Sequence, residues 1–147
     1  MRRDRREESG TAIIEFVWLA ILLLVPLLYV VLAAFDTQRA AYAASAAARS
    51  AGRAFVTAPD TGSAYARAQA AARLAYADQG LDDAPRLTIS CRPLPRACLT
   101  PGSVVRAQVS SSVDLPLVPP VFGTQTPHLD VDAEHQAPYG TFREARP

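Results

Sequence analysis

The most prominent hydrophobic pattern in the chain is an unbroken apolar run from Phe16 to Phe35. Its 20 residues carry no charge, and a helix of that length rises about 30 Å, the hydrocarbon thickness of a bilayer. Helix-compatible residues flank the run from Thr11 to the Ala58–Pro59 dipeptide, where the residue before proline resists helical backbone. The pattern predicts one helix over residues 11–56, with a membrane span over about residues 16–35.

A second helix is predicted from Ser63 to Gln79. Asp60 or Thr61 can cap its N-terminus through a side-chain oxygen, and Gly80 is a typical C-terminal stop. Apolar residues at three- and four-residue spacing define one face of this helix: Tyr65, Ala68, Ala72 and Tyr76. We expect the helix to cover a core with that face.

After Asp83 the hydrophobic period changes from helical spacing to strict alternation. Polar and apolar side chains alternate over residues 86–91 and 104–115, which predicts two half-buried strands. A weaker third strand is predicted over residues 128–135, and the proline-rich stretch 116–127 before it is predicted to be a loop. The elements together predict an α+β fold, in which a long N-terminal helix is followed by a short helix and a small antiparallel sheet.

The two cysteines, Cys91 and Cys98, lie close together in a proline-containing segment. This arrangement favours a local disulfide, and disulfides persist in oxidising compartments. A metal site is the alternative, but two sulfurs with no nearby histidine fall short of the four ligands of a structural zinc. We therefore expect a disulfide, no metal, and an extracytoplasmic location for the C-terminal hundred residues.

Arginines indicate how the span is oriented. Arg2, Arg3, Arg5 and Arg6 precede it, whereas Arg39, Arg49 and Arg53 follow it. This bias favours a cytoplasmic N-terminus. A cleaved secretory signal is a competing interpretation, because the leader is basic and Ala41-Tyr42-Ala43 has small residues around a cleavage position. The apolar run is longer than the usual hydrophobic region of a secretory signal peptide, which favours an anchored protein.

Glu15 places an ionisable group at the start of the apolar run. An interfacial carboxylate favoured by the positive helix N-terminus explains it simply. The surrounding residues nevertheless resemble a known pattern: a short Arg-rich leader ends in Gly10, TAIIEF follows, and the hydrophobic helix continues without a break. This arrangement resembles the processing site of type IV prepilins.

The longer match covers about residues 9–56 and includes Ala47-Ala48-Arg49 beyond the span. It is similar to the TadE-like minor pilins, or pseudopilins, of the tight-adherence (Tad/Flp) pilus system. The resemblance implies a type IV pilin-like fold and cleavage by a prepilin peptidase after Gly10, which leaves Thr11 as the new N-terminus. It also implies that Glu15 and Phe16 serve recognition or assembly, with other Tad pilus subunits and inner-membrane assembly proteins as partners.

Three further features have a structural and a functional interpretation. Alanines at four-residue intervals, at positions 40, 44 and 48 and at 43, 47 and 51, reflect either helix propensity or a close-packing seam. His128, Asp130, Asp132 and Glu134 share one strand face, either as a solvated surface or as ligands for a hard cation. No nucleophile elbow or glycine-rich phosphate loop is present, so we expect neither an enzyme nor a cofactor.

The predicted organisation is a cytoplasmic leader at residues 1–10, a helix at 11–56 and a small extracytoplasmic domain at 57–147. The net charge of +1, with no basic patch beyond the leader, argues against nucleic acid as a partner. We expect a single-pass protein of the cell membrane, in contact with the lipid bilayer, that is processed after Gly10 and acts in a Tad/Flp-type pilus. The alternatives are an uncleaved, signal-anchored binding module and a secreted accessory domain.

Overall fold

The computed structural model describes the backbone of residues 5–114 and 128–146, and the side chains of residues 11–114 and 128–146. The elements in chain order are α1 (Arg5–Val56), α2 (Thr61–Ala77), β1 (Arg86–Arg92), β2 (Val104–Asp114) and β3 (His128–Pro138). Two helices and an antiparallel three-stranded sheet confirm the α+β class. The predicted loop at residues 116–127 lies outside the described part of the chain.

Helix α1 has 52 residues and begins six positions before the predicted start at Thr11. The arginines, glutamates and serine that precede Gly10 are all compatible with a helix. A single internal glycine costs about 1 kcal/mol relative to alanine but does not by itself end a helix. The helix ends at Val56, as the position of Pro59 predicts. The backbone N–H of Thr57 donates a hydrogen bond of 3.1 Å to the Arg53 carbonyl and closes the last turn.

The chain divides into two compact units, Met1–Phe35 and Asp36–Pro147, called here the N-terminal and C-terminal units. In the N-terminal unit every described side chain from residue 11 to residue 28 is exposed. The helix there is long and apolar enough to cross a membrane by length and composition. The C-terminal unit begins at Asp36 and includes the C-terminal part of α1, whose buried residues contribute to its core.

That core is built largely from alanine. Both predicted series on α1 are buried: Ala40, Ala44, Ala48, Ala43, Ala47 and Ala51. At Gly52 a Cβ atom would lie 3.2 Å from Cδ2 of His135 and 3.4 Å from the Cβ of Ala137, so the helix backbone approaches β3 closely. The packing seam is therefore the correct interpretation of the alanine spacing, and its partners lie within the same unit.

Helix α2 begins at Thr61, two residues before the predicted start at Ser63, and ends at Ala77, two residues before the predicted end at Gln79. Asp60 is the N-cap, and its carboxylate accepts a hydrogen bond of 2.8 Å from the Ser63 backbone N–H. Gly80 adopts a positive φ of 68° after the helix end, which glycine tolerates without steric cost. The buried face consists of Ala64, Ala68, Ala72, Ala75 and Tyr76.

The prediction that Tyr65 belongs to this buried face is wrong. Tyr65 is 48% exposed and touches the core only at its edge, where its ring meets Phe55 at 5.0 Å in a T-shaped arrangement. Ala64 occupies the inward position instead. A close-packed core of alanines leaves little room for a tyrosine ring, and the Tyr65 ring lies at its margin.

The sheet order is β1-β2-β3, and both neighbouring pairs are antiparallel. Alternation follows the prediction: Cys91, Val105, Ala107 and Val109 are buried, while the intervening residues of β1 and β2 are exposed or half-buried. Strand β3 extends three residues beyond the predicted end at His135. Its inward positions, Val131 and Ala137, complete the core.

Candidate functional site

The residues of the predicted processing site lie on the N-terminal part of α1. The backbone at Gly10 is helical. Glu15 is exposed, as is Phe16, and Glu15 is the one charged residue between Thr11 and Phe35. Positions four apart on a helix are neighbours, with Cβ atoms about 5 to 6 Å apart. Thr11 and Glu15 are therefore adjacent along one face of α1.

This geometry determines what the segment can do chemically. An uncompensated charge at the centre of a bilayer costs about 2.5 to 3.5 kcal/mol on insertion scales, and less near the interface. A cation held close to a carboxylate favours the ionised form of that carboxylate. Cleavage of the Gly10–Thr11 bond would create such a cation, the α-amino group of Thr11, one helical turn from Glu15.

Cys91 and Cys98 form the predicted disulfide, with Cα atoms 5.3 Å apart. Both cysteines are buried, one at the end of β1 and the other in the segment before β2. Ser103 supports this segment because its hydroxyl donates to the Cys98 carbonyl. The disulfide is part of the core and ties the β1–β2 connection to the sheet.

The acidic row on β3 lies on one exposed face, as the alternation predicts: His128, Asp130, Asp132 and Glu134. Glu134 pairs with Arg106 of β2 at 3.1 Å, and the two side chains are each more than a third exposed. Within residues 11–114 and 128–146, no group of three or more histidine, cysteine or acidic side chains could hold a metal ion. The row is a solvated outer face of the sheet.

Sequence reasoning missed a hollow of about 400 Å³ at one end of the sheet. It is lined by Asp83, Ala84, Arg86, Ser110, Ser111, Ser112 and Asp130. These residues come from the segment before β1, from β1 itself, and from the adjoining ends of β2 and β3. They are distant in sequence and match no motif, so only strand register could bring them together.

A second hollow of about 230 Å³ shares Asp83, Ser111 and Ser112 with the first and reaches Tyr76. The Tyr76 hydroxyl is buried and has no hydrogen-bond partner of normal geometry among the described residues. Burial raises the pKa of Tyr76, while the neighbouring Ser111 side chain opposes that rise. Ser111 is thus close enough to affect the hydroxyl, although the pair does not form a well-directed hydrogen bond.

No family model, curated protein or solved structure matches this chain.

Proposed function

We propose that this chain is a prepilin-like, membrane-anchored protein of the TadE type, processed after Gly10, that acts in assembly or structure of a Tad/Flp-type pilus. One observation carries the proposal. Glu15 is the one charged residue in an apolar helical segment of bilayer length whose side chains are all exposed from residue 11 to residue 28, and it lies one turn beyond the expected cleavage position. The role is structural or assembly-related, not catalytic.

The electrostatics of cleavage support this role for Glu15. The new α-amino group of Thr11 partly neutralises the carboxylate near lipid, and each group makes the other less costly to hold there. In an assembled pilus the amine of an adjacent subunit can take the same place. A carboxylate that is costly to leave unpaired then sets the axial register between subunits.

The arginines and the disulfide support the membrane topology in this proposal. The N-terminus lies in the cytoplasm, the helix crosses the cell membrane once, and the C-terminal unit lies outside. The Cys91–Cys98 disulfide is consistent with an oxidising compartment. The partners are a prepilin peptidase, other Tad pilus subunits, inner-membrane assembly proteins and the lipid bilayer.

An uncleaved, signal-anchored binding module is the second candidate. The hollow of about 400 Å³ at one end of the sheet favours it, because its charged and hydroxyl-bearing lining offers hydrogen-bonding groups to a ligand. In this alternative the leader stays attached and the C-terminal unit recognises a surface ligand.

Release by signal peptidase is disfavoured by where the cut would fall. Cleavage near Ala43 would divide α1 inside the core of the C-terminal unit and remove the buried Ala40. Loss of well-packed core residues destabilises a domain. A secreted fragment would therefore lack part of the packing that the structure shows.

The N-terminal mass of the mature protein tests these possibilities. The protein is purified from membranes of cells with a functional prepilin peptidase and, as the control, from cells without one. We expect a mature N-terminus at Thr11 only when the peptidase is present. An intact leader in both strains would overturn the proposal and favour the anchored binding module, and a start near residue 44 would favour secretion.

A further inference from the structure

Both outer strands of the sheet have an edge with no strand paired to it. The order β1-β2-β3 leaves one side of β1 and one side of β3 unpaired among residues 5–114 and 128–146. β3 is long for an edge strand, with 11 residues. Unpaired edges present backbone N–H and C=O groups that can pair with another strand, and proteins usually protect them.

The two edges carry opposite charge on the outer face of the sheet. The outward residues of β1 include Arg86 and Arg92 and no acid, whereas those of β3 include Asp130, Asp132 and Glu134 and no arginine. Glu134 is engaged by Arg106 of β2. Arg86, Asp130 and Asp132 are exposed and form no ion pair within the described part of the chain.

The opposite charges of the two edges determine which edges of two copies can pair. Two β3 edges would place carboxylates opposite carboxylates, and two β1 edges would place arginines opposite arginines. Like charges directly opposite one another destabilise a strand pair, whereas opposite charges stabilise it. The pattern therefore opposes symmetric pairing and favours β1 against β3.

Strand direction and register fit the same pairing. Because β1 and β3 are each antiparallel to β2, they run in the same direction. Arg86 lies opposite Ser110, which lies opposite Asp132, so the arginine and the aspartate share one row with a strand between them. A copy displaced across the sheet would place its Arg86 one strand spacing, about 4.8 Å, from Asp132 of the first copy.

We propose that the β1 edge of one copy of this chain docks beside the β3 edge of a second copy, so that the sheet continues from one molecule into the next. The contact is heterologous, since two different edges meet. Contacts of this type propagate unless the rotation between copies closes a ring. The proposal goes beyond the pilin assignment and does not depend on cleavage at Gly10.

The sequence offers a direct test because the chain contains no lysine. Arg86→Lys in the full-length, membrane-reconstituted protein introduces one reactive side-chain amine at the β1 edge. A zero-length carbodiimide should then give a covalent dimer on a denaturing gel, with the linkage mapped by mass spectrometry to Asp132 or Asp130. Arg73→Lys, which changes an exposed arginine on α2, is the matched control.

Charge reversal makes the test specific to the two edges. Asp130→Arg with Asp132→Arg places positive charge on both edges, and Arg86→Asp with Arg92→Asp places negative charge on both. Each variant alone should lower association, measured by energy transfer between two labelled populations in vesicles, by about tenfold, a change of about 1.4 kcal/mol. A mixture of the two variants should restore association, because each copy again meets an edge of opposite charge.

The rescue by mixing separates a lost contact from a misfolded variant, since a misfolded chain cannot be rescued by another. The proposal is overturned if the mixture stays dissociated, or if Arg86→Lys gives no more dimer than Arg73→Lys. Either result leaves the pilin assignment untouched, because the N-terminal mass is measured on the wild-type chain. Conversely, a retained leader would leave the edge-to-edge contact standing.

Discussion

Asp60 shows how one side chain sets the start of an element. Its carboxylate accepts hydrogen bonds from the Ser63 backbone N–H at 2.8 Å and from the Ser63 hydroxyl at 2.7 Å. These two bonds, the backbone one first, lower the pKa of Asp60 below its ordinary value of 3.8. The sequence left the cap open between Asp60 and Thr61, and the local hydrogen bonds assign it to Asp60.

A pH dependence follows from that lowered pKa. A carboxyl group whose pKa is lower in the folded state contributes stability above its unfolded pKa and loses that contribution as the pH falls through the folded pKa. We expect the melting temperature of the wild type to fall more steeply below about pH 4 than that of Asp60→Asn, which keeps a capping oxygen but cannot titrate.

The measurement is thermal unfolding followed by circular dichroism in detergent micelles, at several pH values. Asp82→Asn in the exposed segment after α2 is the control, and it should follow the wild type. Parallel curves for the wild type and Asp60→Asn would contradict the role of Asp60 as a titrating cap.

Glu15 gives the second prediction for a single residue. Under the proposed function, Glu15→Ala leaves membrane insertion intact but blocks processing or incorporation into the pilus, because the amine of Thr11 loses its partner. We expect the pilus yield in shear fractions to fall by about tenfold, because the amine of Thr11 then stays unpaired close to lipid. Glu8→Ala, in the leader that cleavage removes, should leave the yield unchanged, and equal yields from Glu15→Ala and the wild type would refute this role.

At the scale of an element, α1 combines two kinds of surface on one continuous helix. From residue 11 to residue 28 its side chains are exposed and, apart from Thr11 and Glu15, apolar, whereas the two alanine series that begin at Ala40 and Ala43 are buried in the C-terminal unit. At Gly52 the helix backbone approaches β3, because a Cβ atom there would lie 3.2 Å from Cδ2 of His135. The small residues permit a short distance between the backbones of α1 and β3, which larger side chains would prevent.

Gly52→Val tests this close approach. The added methyl groups must displace His135 and Ala137, and overpacking of this kind costs about 1 to 3 kcal/mol of unfolding free energy. The measurement is denaturant unfolding monitored by circular dichroism. Ala41→Val on the exposed face of the same helix is the control and should cost no more than about 0.7 kcal/mol from helix propensity. A Gly52→Val protein as stable as that control would show that the interface is loose.

At the scale of the whole C-terminal unit, three distant segments meet at the end of α1. Arg143 donates to the Val56 carbonyl at 2.7 Å, and Arg146 donates to the Ala58 carbonyl at 2.5 Å. The backbone N–H of Arg146 also donates to the Leu99 carbonyl at 2.9 Å, next to Cys98. Positive side chains satisfy the carbonyls at a helix C-terminus and complement its dipole. The C-terminal segment thereby ties α1 to the disulfide-bonded connection.

Replacing both cysteines tests the contribution of that connection. Cys91→Ser with Cys98→Ser should lower the free energy of unfolding by about 2 to 3 kcal/mol in the chain-entropy account, and by less if Pro93 and Pro95 already restrict the unfolded segment. The free energy of unfolding of the chemically reduced wild type is the comparison. It separates the effect of losing the disulfide from the effect of introducing two serines. Labelling of free thiols in the unreduced, membrane-derived wild type would contradict the disulfide itself.

The sequence by itself determined the elements whose signals are local. An apolar run, an alternating pattern, a capping aspartate and a stopping glycine each act through backbone geometry or through solvent exposure within a few residues, so α1, α2 and the strands followed from them. Tertiary structure decided what depends on contacts between distant residues: the burial of both alanine series, the marginal position of Tyr65, the two arginines at the end of α1, and the charged rows across the sheet. Those contacts depend on the distance between two backbones and on strand register. Both quantities involve residues from distant parts of the chain, so no single segment determines them.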